Sequence, residues 1–155
     1  MSDKSSCHSL FADLDDSDAL KAPPCYTART GDVTVSVRTF WLEEHSDPEE
    51  QRYTWVYHVI IENSGEDSLQ LLSRSWTILD ATGKVDYVNG PGVMGEQPVI
   101  SAKGRYEYTS GAELKTPTGF MQGLYHMLSP KTGERFDATV PTFSLDSPHH
   151  SGMIH

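Results

Sequence analysis

Cysteine is scarce in this 155-residue chain, in which only Cys7 and Cys25 occur. They form neither a CxxC motif nor a disulfide framework, which makes a reducing, cytoplasmic setting the simplest expectation. No apolar run approaches the roughly 18–20 residues of a membrane-spanning helix, so we expect no insertion into a membrane. The first residues also lack the basic start and the apolar segment of a secretory signal.

Positive charge is scarce as well, with 12 Lys and Arg against 22 Asp and Glu and a formal net charge of −10. A protein that binds the nucleic-acid backbone needs clustered basic residues, so we expect no nucleic-acid partner. The length suits one domain of roughly 100–150 residues with additional ends. We predict a flexible leader at 1–25, a domain at 26–145 and a disordered tail at 146–155.

Helical periodicity is missing, and apolar residues alternate with polar ones instead. The alternation is clearest between Val33 and Trp41 and between Tyr53 and Glu62. This period of two predicts strands that turn one face toward a core. In the next run, the even-numbered residues from Gln70 to Ile78 are predicted to share one side of a strand.

Turns rich in glycine and proline separate about seven or eight such runs, a spacing typical of all-β domains. The remaining runs are 84–88, 97–101, 105–110, 120–128 and 136–145. The pattern predicts an antiparallel β-sandwich of the immunoglobulin or fibronectin type III kind. Because the predicted sheets contain no cysteine pair, the disulfide of an antibody domain is missing.

A GxGxxG pattern stands at Gly90, Gly92 and Gly95. In a dinucleotide-binding fold, such glycines join a strand to a helix whose N-terminus holds the pyrophosphate. Here Pro98 and the strand-like Val99–Ile100 follow, which excludes that fold.

Two interpretations of this loop stay open. The glycines supply unusual φ values where the chain crosses between sheets, or the backbone N–H groups form a small nest for a phosphate. The candidate ligand loop consists of Gly90, Gly92, Gly95, Glu96 and Gln97.

No other pattern nominates a catalytic residue, a metal ligand or a cofactor. His45, His58 and His126 are far apart and lack the spacing of metal ligands. The acidic loop at 43–50 lacks a calcium-binding pattern. Because GxSxG, a Cys/His pair and a positioned carboxylate pair are all missing, we do not expect an enzyme.

Several stretches between about Tyr26 and Leu145 resemble the ApaG family. The motifs that carry the resemblance are Ser73–Trp76, Asn89–Pro98, Tyr106–Gly111, Thr116–Gly123 and Tyr125–Met127. Two positions depart from the family pattern: Ser75 stands where an aromatic residue or a histidine is common, and Lys103-Gly104 replaces a Pro-Gly turn.

The resemblance implies a fibronectin type III-like sandwich without an established enzymatic activity. Bacterial members of the family are linked genetically to cobalt resistance and magnesium efflux. Eukaryotic relatives occur inside an F-box ubiquitin-ligase subunit and a polymerase-delta-interacting protein, where the module binds other proteins. The glycine motif is shared across the family.

Three functional hypotheses follow, and the first is a non-enzymatic, cytoplasmic protein-interaction module linked to cobalt and magnesium homeostasis. Its docking patch would come from the aromatic residues Tyr53, Trp55, Tyr57 and Trp76.

The second hypothesis is a protein that holds a phosphorylated metabolite or nucleotide at the glycine loop, with or without Mg²⁺ or Co²⁺. The third, hydrolysis of a dinucleotide or diphosphate, ranks last because a base and metal ligands are not identified. A homo-oligomer paired through an edge strand, such as the one that begins at Val33, is also compatible with the sequence.

Overall fold

The computed structural model describes residues 24–149. The predictions for Cys7, for nearly all of the leader and for residues 150–155 lie outside this range. Within it the chain forms nine strands, with two short 3₁₀ helices between the second and the third, Glu43–His45 and Pro48–Glu50. The strands are β1 (Cys25–Thr30), β2 (Val33–Trp41), β3 (Tyr53–Asn63), β4 (Leu69–Asp80), β5 (Val85–Pro91), β6 (Val99–Ile100), β7 (Arg105–Leu114), β8 (Thr118–Leu128) and β9 (Arg135–Asp146).

The strands form two antiparallel sheets. The first has the order β1-β2-β3-β7, and the second has the order β5-β4-β8-β9, with β6 paired to β4. The predicted all-β sandwich is therefore confirmed. None of the helices described between residues 24 and 149 is long and apolar enough to cross a bilayer.

The core lies between the inner faces of the two sheets. On β2 the predicted alternation is confirmed, since Val33, Val35 and Val37 are all buried. On β3 and in the second sheet, the largest completely buried side chains are aromatic: Trp55, Tyr125 and Phe143. Burial of apolar surface contributes roughly 25 cal/mol per Å² to the free energy of folding, so this core is the main source of stability.

The predicted facing of β4 is wrong in its first half. At the start of the strand the odd-numbered Leu69 and Leu71 are buried in the core. Farther along, the even-numbered Trp76 is buried instead. The register against β8 shifts between Leu71 and Ser73, as in a β-bulge. A bulge adds one residue to one strand and so exchanges the two faces beyond it. Past the bulge, Arg74 and Trp76 share the inner side.

The sandwich is closed along one side and open along the other. On the closed side β9 packs against β1 and β2, and the Thr139 amide donates to Thr30 Oγ1 at 3.0 Å. On the open side, β7 and β5 are the outermost strands of their sheets among the described residues. The strand that begins at Val33 is not an edge, because β2 lies between β1 and β3. That part of the oligomer hypothesis is wrong.

Candidate functional site

The glycine motif spans the end of a strand and a tight turn. Gly90 lies in β5, directly opposite Arg74 of β4. After Gly92, residues 93–96 fold back on themselves: the Val93 amide donates to the Glu96 carbonyl at 2.8 Å, and the Glu96 amide donates to the Val93 carbonyl at 2.9 Å. The central residues, Met94 and Gly95, have φ values of 49° and 80°. Two positive φ values in a two-residue turn are typical of type I′.

Gly92 is required by the close approach of its own loop. Its φ is +57°, and a Cβ at this position would overlap the carbonyl oxygen of Glu96. The Gly92 amide donates to the Leu72 carbonyl at 2.7 Å, and the Gln97 Nε2 donates to the same oxygen at 2.9 Å. These contacts support the structural interpretation of the glycines, because the amides of residues 92, 93 and 96 already donate within the protein.

The turn also borders a cavity at the open side of the sandwich. The cavity has a volume of about 270 Å³ and lies between β7 of the first sheet and β4 and β5 of the second. Its walls include Val93 and Met94 of the turn, and the other main lining residues are Tyr57, Arg74, Trp76, Tyr108, Ser110, Glu113 and Met121. The glycine loop thus forms part of a pocket, although not through the predicted nest of amides.

Arg74 is the cationic group of this cavity. Its Nη1 donates to the carbonyl oxygens of Gly92 at 2.8 Å and of Pro91 at 3.2 Å. Its Nε and Nη2 have no hydrogen-bond partner among residues 24–149, which leaves them available to a ligand. A guanidinium held by two carbonyls is well suited to recognise a phosphate or carboxylate.

Tyr57 and Tyr108 line the cavity, and the hydroxyl of the buried Tyr125 contacts that of Tyr108. Burial raises the pKa of Tyr57, although its bond to Ser110 and the charge of Arg74 act in the opposite direction. Burial likewise raises the pKa of Tyr108 and of Tyr125, whose hydroxyl oxygens lie 2.5 Å apart. All three hydroxyls therefore stay protonated at neutral pH and keep their capacity to donate.

The predicted aromatic docking patch is wrong, because its members are core residues. Tyr53, Trp55, Tyr57 and Trp76 are all buried. They stack on one another and on neighbours, as in the edge-to-face contact between the rings of Tyr57 and Trp76 at 5.7 Å. The period of two placed them correctly on inner faces, but at most 9% of each residue is exposed.

A different set of apolar residues lies on the outer face of the second sheet, and all but the half-buried Leu79 are exposed. Val85, Leu79 and Phe120 stand side by side on β5, β4 and β8, and Tyr87 follows Val85 on the same face of β5. The exposed fractions are 74% for Tyr87, 50% for Phe120 and 39% for Val85. We call these four residues the outer strip.

The described residues contain no group of three or more His, Cys, Asp and Glu side chains that could hold a metal ion. His58 instead contacts Thr109 Oγ1 at 2.8 Å and Glu107 Oε1 at 3.1 Å. The acidic loop at 43–50 forms the two 3₁₀ helices.

Comparison with known proteins identifies the family. The model of the ApaG domain matches residues 43–129. The chain belongs to the ApaG family. It is 50% identical to Protein ApaG of Rhodospirillum centenum over 124 residues, which cover 80% of this chain and 95% of that protein. It is 46% identical to Protein ApaG of Parvibaculum lavamentivorans over 130 residues, or 84% of this chain and 99% of that protein.

Solved structures of the family agree with the fold. The crystal structure of an ApaA protein from Bordetella pertussis is 38% identical and superposes with a TM-score of 0.72, covering 83% of this chain and 98% of that one. The ApaG-domain match includes the glycine loop, every lining residue of the cavity and the whole outer strip.

Sequence reasoning missed Arg74 and Tyr108 as site residues of this ApaG domain. The signal for Arg74 was a charged side chain inside an apolar alternation. Tyr108 carries no comparable signal, because it reaches the cavity only through the pairing of β7 with β3.

Proposed function

We propose that this ApaG-family chain acts as a cytoplasmic protein-interaction module, that this docking role is non-enzymatic, and that the outer strip is its docking surface. The observation that carries the proposal is the exposure of Tyr87 and Phe120 on a sheet face. Exposed aromatic residues grouped on one face are typical of partner sites, since an isolated domain gains nothing from leaving them in water.

The surroundings of the outer strip fit a docking surface. Thr77 and Gln122 occupy the next row of the sheet beside Tyr87, so uncharged polar groups border the apolar ones. A partner would cover the rings and meet hydrogen-bonding side chains at the border, which is the usual composition of an interface.

Comparison of captured proteins tests this proposal. Tyr87→Lys places a charge in the outer strip, whereas Thr109→Lys places one at an exposed position of the first sheet. We expect the Tyr87→Lys variant to lose a specific partner that both the wild type and the Thr109→Lys variant retain. Equal capture by all three proteins would contradict the proposal.

The link to cobalt and magnesium homeostasis is supported by the resemblance to bacterial ApaG proteins. It is tested in cells that lack the gene and carry either the wild type or Tyr87→Lys. We expect the wild type to restore cobalt tolerance and the variant to fail at equal protein level. Full restoration by the variant would show that cobalt tolerance does not depend on the outer strip.

A second candidate function is small-ligand binding in the cavity, favoured by the available donors of Arg74. The cavity volume of about 270 Å³ is just below the roughly 300–1,000 Å³ of most ligand pockets. It would therefore enclose a phosphate group or a single ring, while the rest of a nucleotide would stay outside.

Calorimetry with ADP and with pyrophosphate, with and without Mg²⁺, tests this candidate. We expect binding that Arg74→Met removes and that Arg74→Lys weakens, because lysine keeps the charge but not the planar fork. If the wild type releases or absorbs no heat with either compound, the proposal of ligand binding in the cavity is wrong.

A further inference from the structure

Three polar side chains on the outer face of the second sheet form one hydrogen-bonded chain. Ser75 lies on β4, His126 on β8 and Asp137 on β9, which are neighbours in the sheet. Ser75 Oγ lies 2.7 Å from His126 Nε2, and His126 Nδ1 lies 2.7 Å from Asp137 Oδ1. A histidine held between a serine hydroxyl and a carboxylate is the arrangement that activates serine for acyl transfer.

The register of the sheet explains why these residues meet. His126 stands directly opposite Asp137 in the β8–β9 pairing. In the β4–β8 pairing it stands opposite Ser73, with Ser75 two residues farther along β4. The bulge between Leu71 and Ser73 is decisive, because unbroken alternation from Leu71 would have turned Ser75 toward the core.

The carboxylate defines which nitrogen of the imidazole carries the proton. An ionised Asp137 can only accept, so His126 donates from Nδ1–H and its Nε2 is left with a lone pair. The Ser75 hydroxyl then donates to Nε2. The side chain of His126 is 34% exposed and that of Asp137 is 54% exposed, so a substrate can approach from solvent.

The Ser75 side chain borders an open groove whose lining includes hydrogen-bond donors. The groove is lined by Ser75, Asn89, Gln97, His126 and Arg135, among others. Asn89 stands directly opposite Ser75 on β5, where cross-strand Cβ atoms are roughly 5 Å apart. Its amide can reach an oxygen that develops negative charge beside Ser75, and side-chain amides serve this purpose in known oxyanion holes.

We propose that Ser75 is a nucleophile for small carboxylic esters, with His126 as its general base and Asp137 as a positioning residue. This activity goes beyond the proposed docking function, which does not require Ser75. Ser75 Oγ forms a bond to the ester carbonyl carbon while its proton passes to His126 Nε2. The tetrahedral intermediate then loses the alcohol, which takes that proton. Water attacks the acyl-serine in the same manner and releases the carboxylic acid.

The surroundings favour a short acyl group. Leu124 stands opposite Ser75 on β8 and offers the acyl group apolar contact, whereas the open groove has no walls to enclose a long chain. An open site also leaves the leaving group in water. The class of substrate is therefore a small ester with a good leaving group.

Labelling with a fluorophosphonate tests the proposal, because this reagent is attacked by an activated serine hydroxyl and loses fluoride. We expect mass spectrometry of the labelled wild type to locate the adduct on Ser75. His126→Gln and Asp137→Asn should each lower the labelling rate by at least about 100-fold. Ser101→Ala removes an exposed serine hydroxyl outside the groove and should leave the rate unchanged.

A second readout separates positioning from a purely structural role. The ¹⁵N NMR shifts of His126 should report a proton on Nδ1 in the wild type and loss of that preference in Asp137→Asn. Thermal melting of each variant checks that the fold is retained. An unlabelled Ser75, labelling shared evenly among serines, or an undiminished rate in the folded Asp137→Asn variant would overturn the proposal.

Discussion

Tyr108 of β7 and Tyr125 of β8 face each other across the two sheets, with their hydroxyl oxygens 2.5 Å apart. The bond joins the first sheet to the second beside the cavity, near the open side of the sandwich. Tyr125 is completely buried and Tyr108 nearly so. The pair is therefore a polar link inside an apolar core, in which one hydroxyl donates a hydrogen bond to the other.

The tyrosine pair should make the protein sensitive to alkali. Burial raises the pKa of both hydroxyls in the folded state, whereas an unfolded tyrosine titrates near ~10. Their contribution to stability is fully present below ~pH 10 and declines as the pH rises above it, because the unfolded state then binds fewer protons.

Urea unfolding between neutral and alkaline pH measures this effect. Tyr108→Phe should lower the free energy of unfolding at neutral pH by about 1 kcal/mol and make its alkaline decline shallower. Tyr87→Phe removes an exposed hydroxyl and serves as the control. An unchanged alkaline slope in Tyr108→Phe would contradict this account of the pair.

The turn at the cavity rim should tolerate substitution at one glycine and not at another. Gly92→Ala should destabilise the protein by more than ~2 kcal/mol, since the left-handed backbone alone costs ~1–2 kcal/mol for a non-glycine residue and the new Cβ would also overlap the Glu96 carbonyl. Gly95→Asn is the matched control, because a Cβ there meets nothing within 4 Å and asparagine tolerates positive φ.

Chemical denaturation of the two glycine variants provides the measurement. We expect the midpoint to fall clearly for Gly92→Ala and only slightly for Gly95→Asn. If both variants unfold at the same denaturant concentration, the close approach of the Glu96 carbonyl to Gly92 does not determine the stability of the loop.

Metal removal should leave the fold unchanged. The core is built from buried side chains such as Trp55, Tyr125 and Phe143, so apolar burial supplies the stability without an ion. We expect the same melting temperature before and after dialysis against EDTA. A lower melting temperature that added Mg²⁺ or Co²⁺ restores would contradict this expectation.

The strands were largely predictable because alternation is a local signal. Val33 to Val37 and Tyr53 to Ile61 each repeat a period of two, and both lie in strands with the predicted inner face. β1 was not predicted, because Cys25–Thr30 is short and mostly half-buried, so its pattern is weak. The facing of β4 failed because a bulge has no signature in the order of apolar and polar residues.

The candidate sites were predictable only in part, because they depend on long-range pairing. The glycine pattern marked one rim of the cavity, but Tyr57 and Tyr108 come together only when β3 pairs with β7. Ser75 and His126 are 51 residues apart, and His126 and Asp137 are 11 apart. No spacing rule connects these three, since their contact depends on the register of three strands.

Site-specific photo-cross-linking tests the docking proposal most directly. A benzoyl-phenylalanine replaces Phe120 in the outer strip, and a second protein carries it at Thr109 on the first sheet. After irradiation of living cells, we expect a discrete adduct from position 120 that Tyr87→Lys removes, and none from position 109. The absence of an adduct from position 120, or an adduct that persists with Tyr87→Lys, would contradict the docking surface.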